Sequence, residues 1–286
     1  MVFIGLGRVG SALAVLLARS GCQVVALCDR DLAAAAKIES MMVGDRPLVT
    51  DDPVAAAAEA EVVFITTQDR YISVVCRQLA KAKIFSSRYL VVHCSGLLTS
   101  TALISAAEQQ AKVCSLHPLQ SFADFAAALR ILPGAYFCFE GDPEAYGQVA
   151  EFVDFLSGHL WRINSADKPL YHAAAVVASN FFIALQSMAI AMMRKLNVEE
   201  KDAIEMLLPL ISGSLENLAT SGPVAALTGP IVRGDNVSIA KHMEILADKM
   251  PEYLPAYKIL ALLNLQLANQ QSGVTLADFP VLQNEE

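Results

Sequence analysis

The sequence has little charge, and basic residues are the scarcer kind. Charged side chains make up 17% of the 286 residues, and 29 acidic against 21 basic ones give a formal net charge of −8. A protein with this balance repels polyanions, so we expect no binding to nucleic acid or to an anionic membrane surface. The six cysteines show no CxxC spacing, so we expect reduced core thiols in a cytoplasmic protein. Because the first predicted strand starts at Met1, we also expect no leader peptide.

Apolar residues, in contrast, make up 55% of the chain, and its length favours two domains over one. The longest apolar run, residues 173–193, has the length of a membrane span. No second span accompanies it, so we predict burial in a helical bundle or at a subunit interface, and no membrane. Four polar residues interrupt this run: Ser179, Asn180, Gln186 and Ser187.

The first 19 residues carry a phosphate-binding motif. An apolar strand over residues 1–4 leads into Gly5-Leu6-Gly7-Arg8-Val9-Gly10, and an apolar helix follows over residues 11–19. In this context Gly5 permits a tight turn, Gly7 lets the backbone approach a pyrophosphate, and Gly10 lets helix and strand pack closely. The helix N-terminus offers N–H groups and a positive dipole end. All six residues of the motif are therefore predicted to bind a dinucleotide; the alternative is a glycine-rich turn without a ligand.

A second strand over residues 23–28 ends in Asp29-Arg30. An acidic residue at this position can hold the adenosine ribose hydroxyls, which favours NAD. Arg30 can accept the 2′-phosphate of NADP. The choice between the two cofactors stays open.

Strands alternate with helices up to about residue 164 and then stop, which predicts a mostly parallel, doubly wound sheet followed by an all-helical region. We predict an N-terminal Rossmann dinucleotide-binding domain over residues 1–164 and a helical substrate and dimerisation domain over residues 165–286. The chain from residue 271 on is polar, and we expect it to fray. The eight predicted strands cover residues 1–4, 23–28, 47–50, 61–65, 89–93, 112–116, 135–139 and 160–163.

Polar residues cluster after the middle strands, where ligands of open α/β sheets bind. Thr66, Thr67 and Gln68 follow the fourth strand and are predicted to bind the cofactor. After the fifth, Ser95 and Gly96 can approach a nicotinamide or its ribose, and we assign catalytic roles to His93 and Ser95. His117, after the sixth strand, is assigned to substrate binding. For both histidines the alternative is a structural bond to a loop carbonyl.

The first helix of the second region contributes His172, Ser179 and Asn180. Eight helical steps bring Asn180 to within about 80° of the direction of His172. Because histidine titrates near neutral pH, we predict His172 as a proton donor, with Asn180 as a catalytic, substrate-orienting amide and Ser179 in the substrate site. The alternative is a hydrogen bond between helices at a dimer contact.

Arg233 lies between glycines and can clamp a substrate carboxylate. An ion pair with Asp235 is the structural alternative. No local spacing of ligands supports a metal site, so none is predicted.

Five stretches together resemble one family, the Rossmann-like proteins with a helical C-terminal domain of unassigned function, often described as NADP- or coenzyme F420-dependent oxidoreductases. More distantly, the layout is similar to the 6-phosphogluconate dehydrogenase superfamily, which includes ketopantoate reductase and pyrroline-5-carboxylate reductase. This kinship implies a two-domain homodimer with its active site in the interdomain cleft. The β-hydroxyacid members pair a helix-borne lysine with an asparagine four residues later, whereas here Lys168 precedes His172. The resembling stretches are residues 5–10, 93–96, 115–120, 171–180 and 227–235.

The sequence thus predicts an NAD(P)-dependent oxidoreductase that transfers a hydride to a C=O or C=N bond of a small carboxylated metabolite, such as a ketopantoate-like 2-keto acid. F420 is a third candidate cofactor. The competing hypothesis is a non-catalytic dinucleotide-binding or redox-sensing module.

Overall fold

The computed structural model of the chain describes residues 1–283, and these fall into two compact units. The first comprises Met1–Phe181 and the second begins at Phe182. The last strand ends at Arg162, two residues before the predicted domain boundary at 164/165. The boundary between the two compact units lies further along the chain, after Phe181, because the first turns of the next helix pack on the sheet through Lys168 and Tyr171.

An eight-stranded sheet, in the order β3-β2-β1-β4-β5-β6-β7-β8, forms the centre of the first unit. β1 to β6 are parallel, β7 is antiparallel to β6, and β8 is parallel to β7. The order of the first six strands is that of the doubly wound dinucleotide-binding sheet, which confirms the predicted fold class. The strands are β1 Val2–Ile4, β2 Ala26–Cys28, β3 Leu48–Thr50, β4 Val62–Ile65, β5 Leu90–His93, β6 Lys112–Pro118, β7 Tyr136–Gly141 and β8 His159–Arg162.

Helices cover both faces of this sheet because the central strands are apolar on both sides. Phe3 and Phe64 stack at 4.7 Å between ring centroids on one face, and Val63 and Ile65 are buried on the other. Sequence reasoning missed one helix, which Asp124 caps by accepting from the Ala127 amide. The helices are α1 Arg8–Arg19, α2 Leu32–Glu39, α3 Pro53–Ala57, α4 Asp69–Lys81, α5 Ile104–Ala107, α6 Phe125–Ile131, α7 Tyr146–Phe155 and α8 Lys168–Val176.

A π-helical segment, Val177–Phe181, continues α8 and leads into α9, Phe182–Lys195. Within residues 1–283, the helical stretch Ser165–Lys195 is the one with the length and composition to cross a membrane, and 6% of its most apolar window is buried. Such a single helix is weak evidence for a membrane. The predicted burial of this stretch is not achieved by one copy of the chain.

The second unit continues with three long helices, α10 Glu200–Ala226, α11 Asn236–Lys249 and α12 Leu254–Ser272. Gly222 breaks α10 with a positive φ of 72°. The expected fraying after residue 271 is wrong for residues 276–283. Phe279 and Leu282 are buried there against α11 and α12, because two short 3-10 turns direct them into the core of this unit.

Candidate active site

The glycine motif forms a closed turn at the carboxyl end of β1. Gly5 has φ +96°, and a side chain there would lie 2.6 Å from the Thr67 amide nitrogen. A side chain at Gly10 would overlap the Gly5 carbonyl and Thr66 Oγ1. A Cβ at Gly7, in contrast, would meet no protein atom within 4 Å. Gly5 and Gly10 therefore shape the turn, whereas Gly7 leaves open space in front of α1.

The N-terminus of α1 is free to bind an anion. Gly7 is its N-cap, and no side chain caps the first turn. Arg8, which begins the helix, extends to the Phe122 carbonyl at 3.0 Å. The uncapped N–H groups and the positive end of the helix dipole are the features that bind phosphates in this fold.

Thr66 and Thr67 follow β4 beside this turn. Thr66 Oγ1 donates to the Gly5 carbonyl at 2.6 Å and so holds the turn closed. Thr67 Oγ1 is buried and has no hydrogen-bond partner among the described residues. A buried hydroxyl without a partner costs roughly 1–3 kcal/mol, so a ligand at this position would satisfy it. Gln68 is exposed as the N-cap of α4 and makes no capping bond through its side chain.

Asp29, which we predict to bind the ribose, also makes two hydrogen bonds to backbone amides. Its carboxylate accepts from the Leu6 amide at 2.6 Å and from the Asp31 amide at 3.0 Å. These bonds tie the end of β2 to the glycine turn. A carboxylate accepts up to about four hydrogen bonds, so lone pairs remain for a ribose hydroxyl.

Two guanidinium groups flank one aromatic ring at the same edge of the sheet. Arg30 and Arg70 lie 5.3 Å and 4.8 Å from the centroid of the Tyr71 ring. Both are within the range of cation–π attraction. Sequence reasoning predicted Arg30 but missed Arg70 and Tyr71, although they directly follow the polar residues after β4.

The loop after β5 is held by its own polar side chains. Ser95 is 5% exposed; its hydroxyl donates to Asp69 Oδ2 at 2.7 Å and accepts from the Leu97 and Leu98 amides. His93 is 0% exposed, with Nδ1 accepting from the Ser95 amide and Nε2 at 3.0 Å from the Thr99 carbonyl. Both side chains therefore shape the loop, and the catalytic roles assigned to them stay predictions.

Burial, followed by the charge of Lys168, lowers the pKa of His93 to about 4, and burial also lowers the pKa of His117 to about 4. The unfolded chain binds these protons below about pH 6.5, whereas the folded protein binds them only near pH 4. Stability is therefore expected to fall as the pH drops from about 6.5 to about 4. At pH 5 the loss is roughly 2 kcal/mol per histidine. Urea unfolding at pH 7 and pH 5, with His93→Gln as a comparison, measures it; a pH-independent free energy of unfolding contradicts the assignment.

Two histidine rings converge on Gly96. A Cβ at this glycine would lie 2.7 Å from His172 Nδ1 and 3.0 Å from His117 Nε2. His117 Nδ1 is 2.7 Å from the Tyr171 hydroxyl, and the His117 and His172 rings are 6.4 Å apart and nearly perpendicular. His172 Nδ1 is buried without a hydrogen-bond partner among residues 1–283. A side chain at residue 96 would collide with both imidazoles, so glycine at this position lets the two rings pack against the loop.

Lys168, the first residue of α8, is completely buried beneath this spot. Its Nζ donates to the Ser95 carbonyl at 3.0 Å and to Ser115 Oγ. Burial lowers the pKa of this amine, while Glu140 nearby raises it. The lysine joins α8 to the loop after β5 and to the middle of β6, and so fixes His172 relative to Gly96. Sequence reasoning left its role undecided.

Replacing Lys168 by methionine is expected to raise the pKa of His117 toward its ordinary value. Burial is the larger cause of the low pKa of His117, and the positive charge of Lys168 is the next. Histidine NMR titration of Lys168→Met measures the shift, with Lys112→Met on the partly exposed start of β6 as the control. An unchanged His117 titration would show that this charge does not reach the imidazole.

Of the remaining predicted residues, Ser179 and Asn180 belong to the first unit and Arg233 to the second. Asn180 lies within the π-helical segment that follows α8, so the 80° separation calculated for a regular α-helix does not apply. Asn180 is exposed and Ser179 is half-buried. Arg233 is exposed in the loop before α11, where Asp235 caps that helix by accepting from Ser238. No ion pair joins Arg233 to Asp235 within the described part of the chain. The roles of Asn180, Ser179 and Arg233 stay predictions.

Two family models match the sequence. Residues 1–118 match the Rossmann-like domain, and residues 135–263 match a domain of unknown function, DUF2520. The chain carries a Rossmann-like domain followed by a DUF2520 domain. This confirms the family resemblance drawn from the motifs. No curated protein has a sequence that matches this chain.

Solved structures share the fold over nearly the whole chain. A Thermotoga maritima protein has a TM-score of 0.74 at 24% identity, covering 94% of this chain and 98% of its own. A Bacteroides fragilis protein, described as a candidate NADP oxidoreductase, has a TM-score of 0.73 at 21% identity, with coverages of 93% and 97%. A reductive aminase from Aspergillus terreus, solved with NADPH and ethyl levulinate, has a TM-score of 0.65 at 16% identity, with coverages of 99% and 98%. At these identities the likeness establishes the fold.

Proposed function

We propose that this protein is an NAD(P)-dependent oxidoreductase that reduces a C=O or C=N bond of a small, carboxylated metabolite. One observation carries the proposal. The carboxyl edge of a doubly wound sheet holds an uncapped glycine turn, and after β5 it holds a bare glycine against which the imidazoles of His117 from β6 and His172 from α8 both pack. A structural relative described as an NADP oxidoreductase and a second one, a reductive aminase solved with NADPH, support the same activity.

The residues present fit a dinucleotide. The space in front of Gly7 admits a pyrophosphate to the free amides of α1, and Thr67 Oγ1 is a buried hydroxyl that lacks a partner. Arg30 supports NADP over NAD, because a guanidinium next to the end of β2 binds a 2′-phosphate. When bound, the nicotinamide supplies or accepts the hydride.

The chain's own residues then manage substrate and protons. His172 presents an unpartnered Nδ1 at Gly96 and is assigned as the proton donor. Asn180, Ser179 and Arg233 are proposed to orient the substrate and bind its carboxylate. Lys168 and Ser95 maintain the loop that carries Gly96. Positioning and exclusion of water are the protein's contribution to the rate.

The proposal is tested in two steps. Thermal-shift titrations with NADPH, NADH and F420 are expected to show stabilisation by NADPH first, since bound ligand stabilises the folded state. Absorbance at 340 nm is then followed with a panel of 2-oxo acids, including ketopantoate, and of cyclic imines. Turnover that collapses in His172→Ala supports an enzyme. Cofactor binding without turnover, with the same cofactor affinity in His172→Ala, supports the non-catalytic module. The raised thiol pKa values of Cys28, Cys76 and Cys138 argue against a redox sensor that works through these cysteines.

We further propose a cytoplasmic homodimer that forms through the helical region. Large apolar side chains are exposed along the helices after residue 168, a surface that a second copy would cover. Light scattering after gel filtration is expected to give twice the mass of one chain, and Leu210→Glu should shift the protein toward monomer. In the second unit, exposed members of this kind include Ile183, Met206, Leu208 and Leu210.

A further inference from the structure

The bond between His117 and Tyr171 determines which nitrogen of His117 faces Gly96. Nδ1 is 2.7 Å from the Tyr171 hydroxyl, and the two rings meet edge to face with centroids 5.6 Å apart. The opposite nitrogen, Nε2, points to Gly96 and makes no hydrogen bond within residues 1–283. A ring anchored at one nitrogen presents the other in a fixed direction.

The protonation of the pair follows from its surroundings. Burial raises the pKa of Tyr171 and lowers that of His117 to about 4, so the phenol keeps its proton and the imidazole stays neutral at pH 7. A neutral imidazole has one donor and one acceptor nitrogen. The imidazole nitrogen is a far stronger acceptor than the neighbouring Cys138 thiol, so the Tyr171 hydroxyl donates to Nδ1 and the His117 proton lies on Nε2.

We propose that His117 is a neutral hydrogen-bond donor, fixed in its Nε2–H tautomer by Tyr171, that binds the oxygen of a carbonyl substrate at Gly96. The inference rests on the proposed oxidoreductase function and narrows its substrate class. A carbonyl oxygen accepts a bond from Nε2–H. A protonated imine, the form of a C=N bond that readily takes a hydride, has no lone pair on nitrogen to accept one.

The reaction balances with the two histidines in separate roles. When bound, the reduced nicotinamide would supply a hydride to the carbonyl carbon, and the π electron pair of the C=O bond would move to oxygen. The oxygen would then take a proton from the protonated His172 ring, which is left as neutral imidazole and regains a proton from water; the products would be an alcohol and the oxidised nicotinamide. His117 gives no proton away; its N–H bond stabilises the charge that develops on oxygen.

Nitrogen-15 NMR of the intact, histidine-labelled protein reads the tautomer without any cofactor. The chain has five histidines, so the His117 signals are assigned by their loss in His117→Gln. We expect Nε2 protonated and Nδ1 unprotonated from pH 5 to pH 8, and a shift toward the other tautomer in Tyr171→Phe. A proton on Nδ1, or titration near pH 6.5, would overturn the proposal.

Activity provides the second readout and a matched control. Tyr171→Phe should lower kcat/KM for ketopantoate about 3- to 10-fold, the value of one hydrogen bond. In His117→Ala, kcat/KM for ketopantoate should fall about 10²- to 10³-fold. His117→Gln should recover part of this kcat/KM, because the glutamine amide N–H replaces Nε2–H. As the control, Tyr257→Phe removes a tyrosine–histidine bond of the same 2.7 Å length, to His242 in the second unit, and should leave kcat/KM unchanged.

The two proposals fail in different ways. An absence of NADPH-dependent turnover with every substrate would contradict the oxidoreductase function, while the NMR tautomer would still be read. Turnover of 1-pyrroline-2-carboxylate but not of 2-oxo acids, at a rate that Tyr171→Phe leaves unchanged, would preserve the oxidoreductase and overturn the carbonyl assignment.

Discussion

Replacing His172 by alanine is expected to lower kcat by about 10²- to 10⁴-fold, the usual contribution of a positioned general acid. His172 Nδ1 is the imidazole atom that lies over Gly96, buried and without a hydrogen-bond partner in the described residues. The substitution removes no bond that the folded protein makes through that atom. The free energy of unfolding and the affinity for NADPH should therefore stay close to those of the unmodified protein.

Two comparisons separate this chemical role from a structural one. His242→Ala removes an imidazole from the second unit and should leave kcat unchanged. A loss of proton donation also predicts that added imidazole restores part of the rate in His172→Ala. A variant that turns over normally, or one that unfolds, would contradict the assignment of His172 as proton donor.

Replacing Gly7 by alanine should leave the folded protein unchanged and weaken cofactor binding by about 10- to 100-fold. Its φ is −71°, which any residue adopts, and a Cβ there would meet no protein atom within 4 Å. The only expected cost is therefore to a pyrophosphate that must approach this backbone. Calorimetric titration with NADPH measures the affinity, and thermal unfolding measures the stability.

Gly147→Ala is the matched control, since Gly147 is exposed on α7 and its Cβ would also meet nothing. That variant should bind NADPH normally. Gly10→Ala should instead destabilise the protein, because its Cβ would overlap the Gly5 carbonyl. Equal NADPH affinity in Gly7→Ala and the unmodified protein would show that the dinucleotide does not bind at this turn.

The local pattern of apolar, polar and glycine residues in the sequence was enough to predict the sheet and the phosphate-binding turn. The eight strands are apolar runs that end in glycine, polar or acidic residues, and the structure has a strand at each. The requirement for glycine at residue 10 lies partly within one strand–turn–helix unit, because a Cβ there would overlap the Gly5 carbonyl. At residue 5 the atoms that exclude a side chain belong to Thr67, which follows β4 and is distant in sequence.

The hydrogen-bond partners of His93 and of the buried Lys168 could not be predicted from the local sequence. His93 and His117 both end strands, yet one has both nitrogens bonded within its loop and the other has Nε2 free at Gly96. Lys168 is far in sequence from Ser95 and Ser115, so only the packing of α8 on the sheet shows its role. A π-helical segment also breaks the helical period on which the pairing of His172 with Asn180 depended.

Transfer of deuterium from NADPH that carries deuterium at both C4 positions of the nicotinamide tests whether the protein is a reductase. The labelled cofactor is incubated with the protein and a 2-oxo acid, and the product is analysed by mass spectrometry. We expect a hydroxy acid that carries deuterium on the former carbonyl carbon, formed by the unmodified protein and barely by His172→Ala. Product without the label, or no product although NADPH binds at the glycine turn, would contradict this expectation.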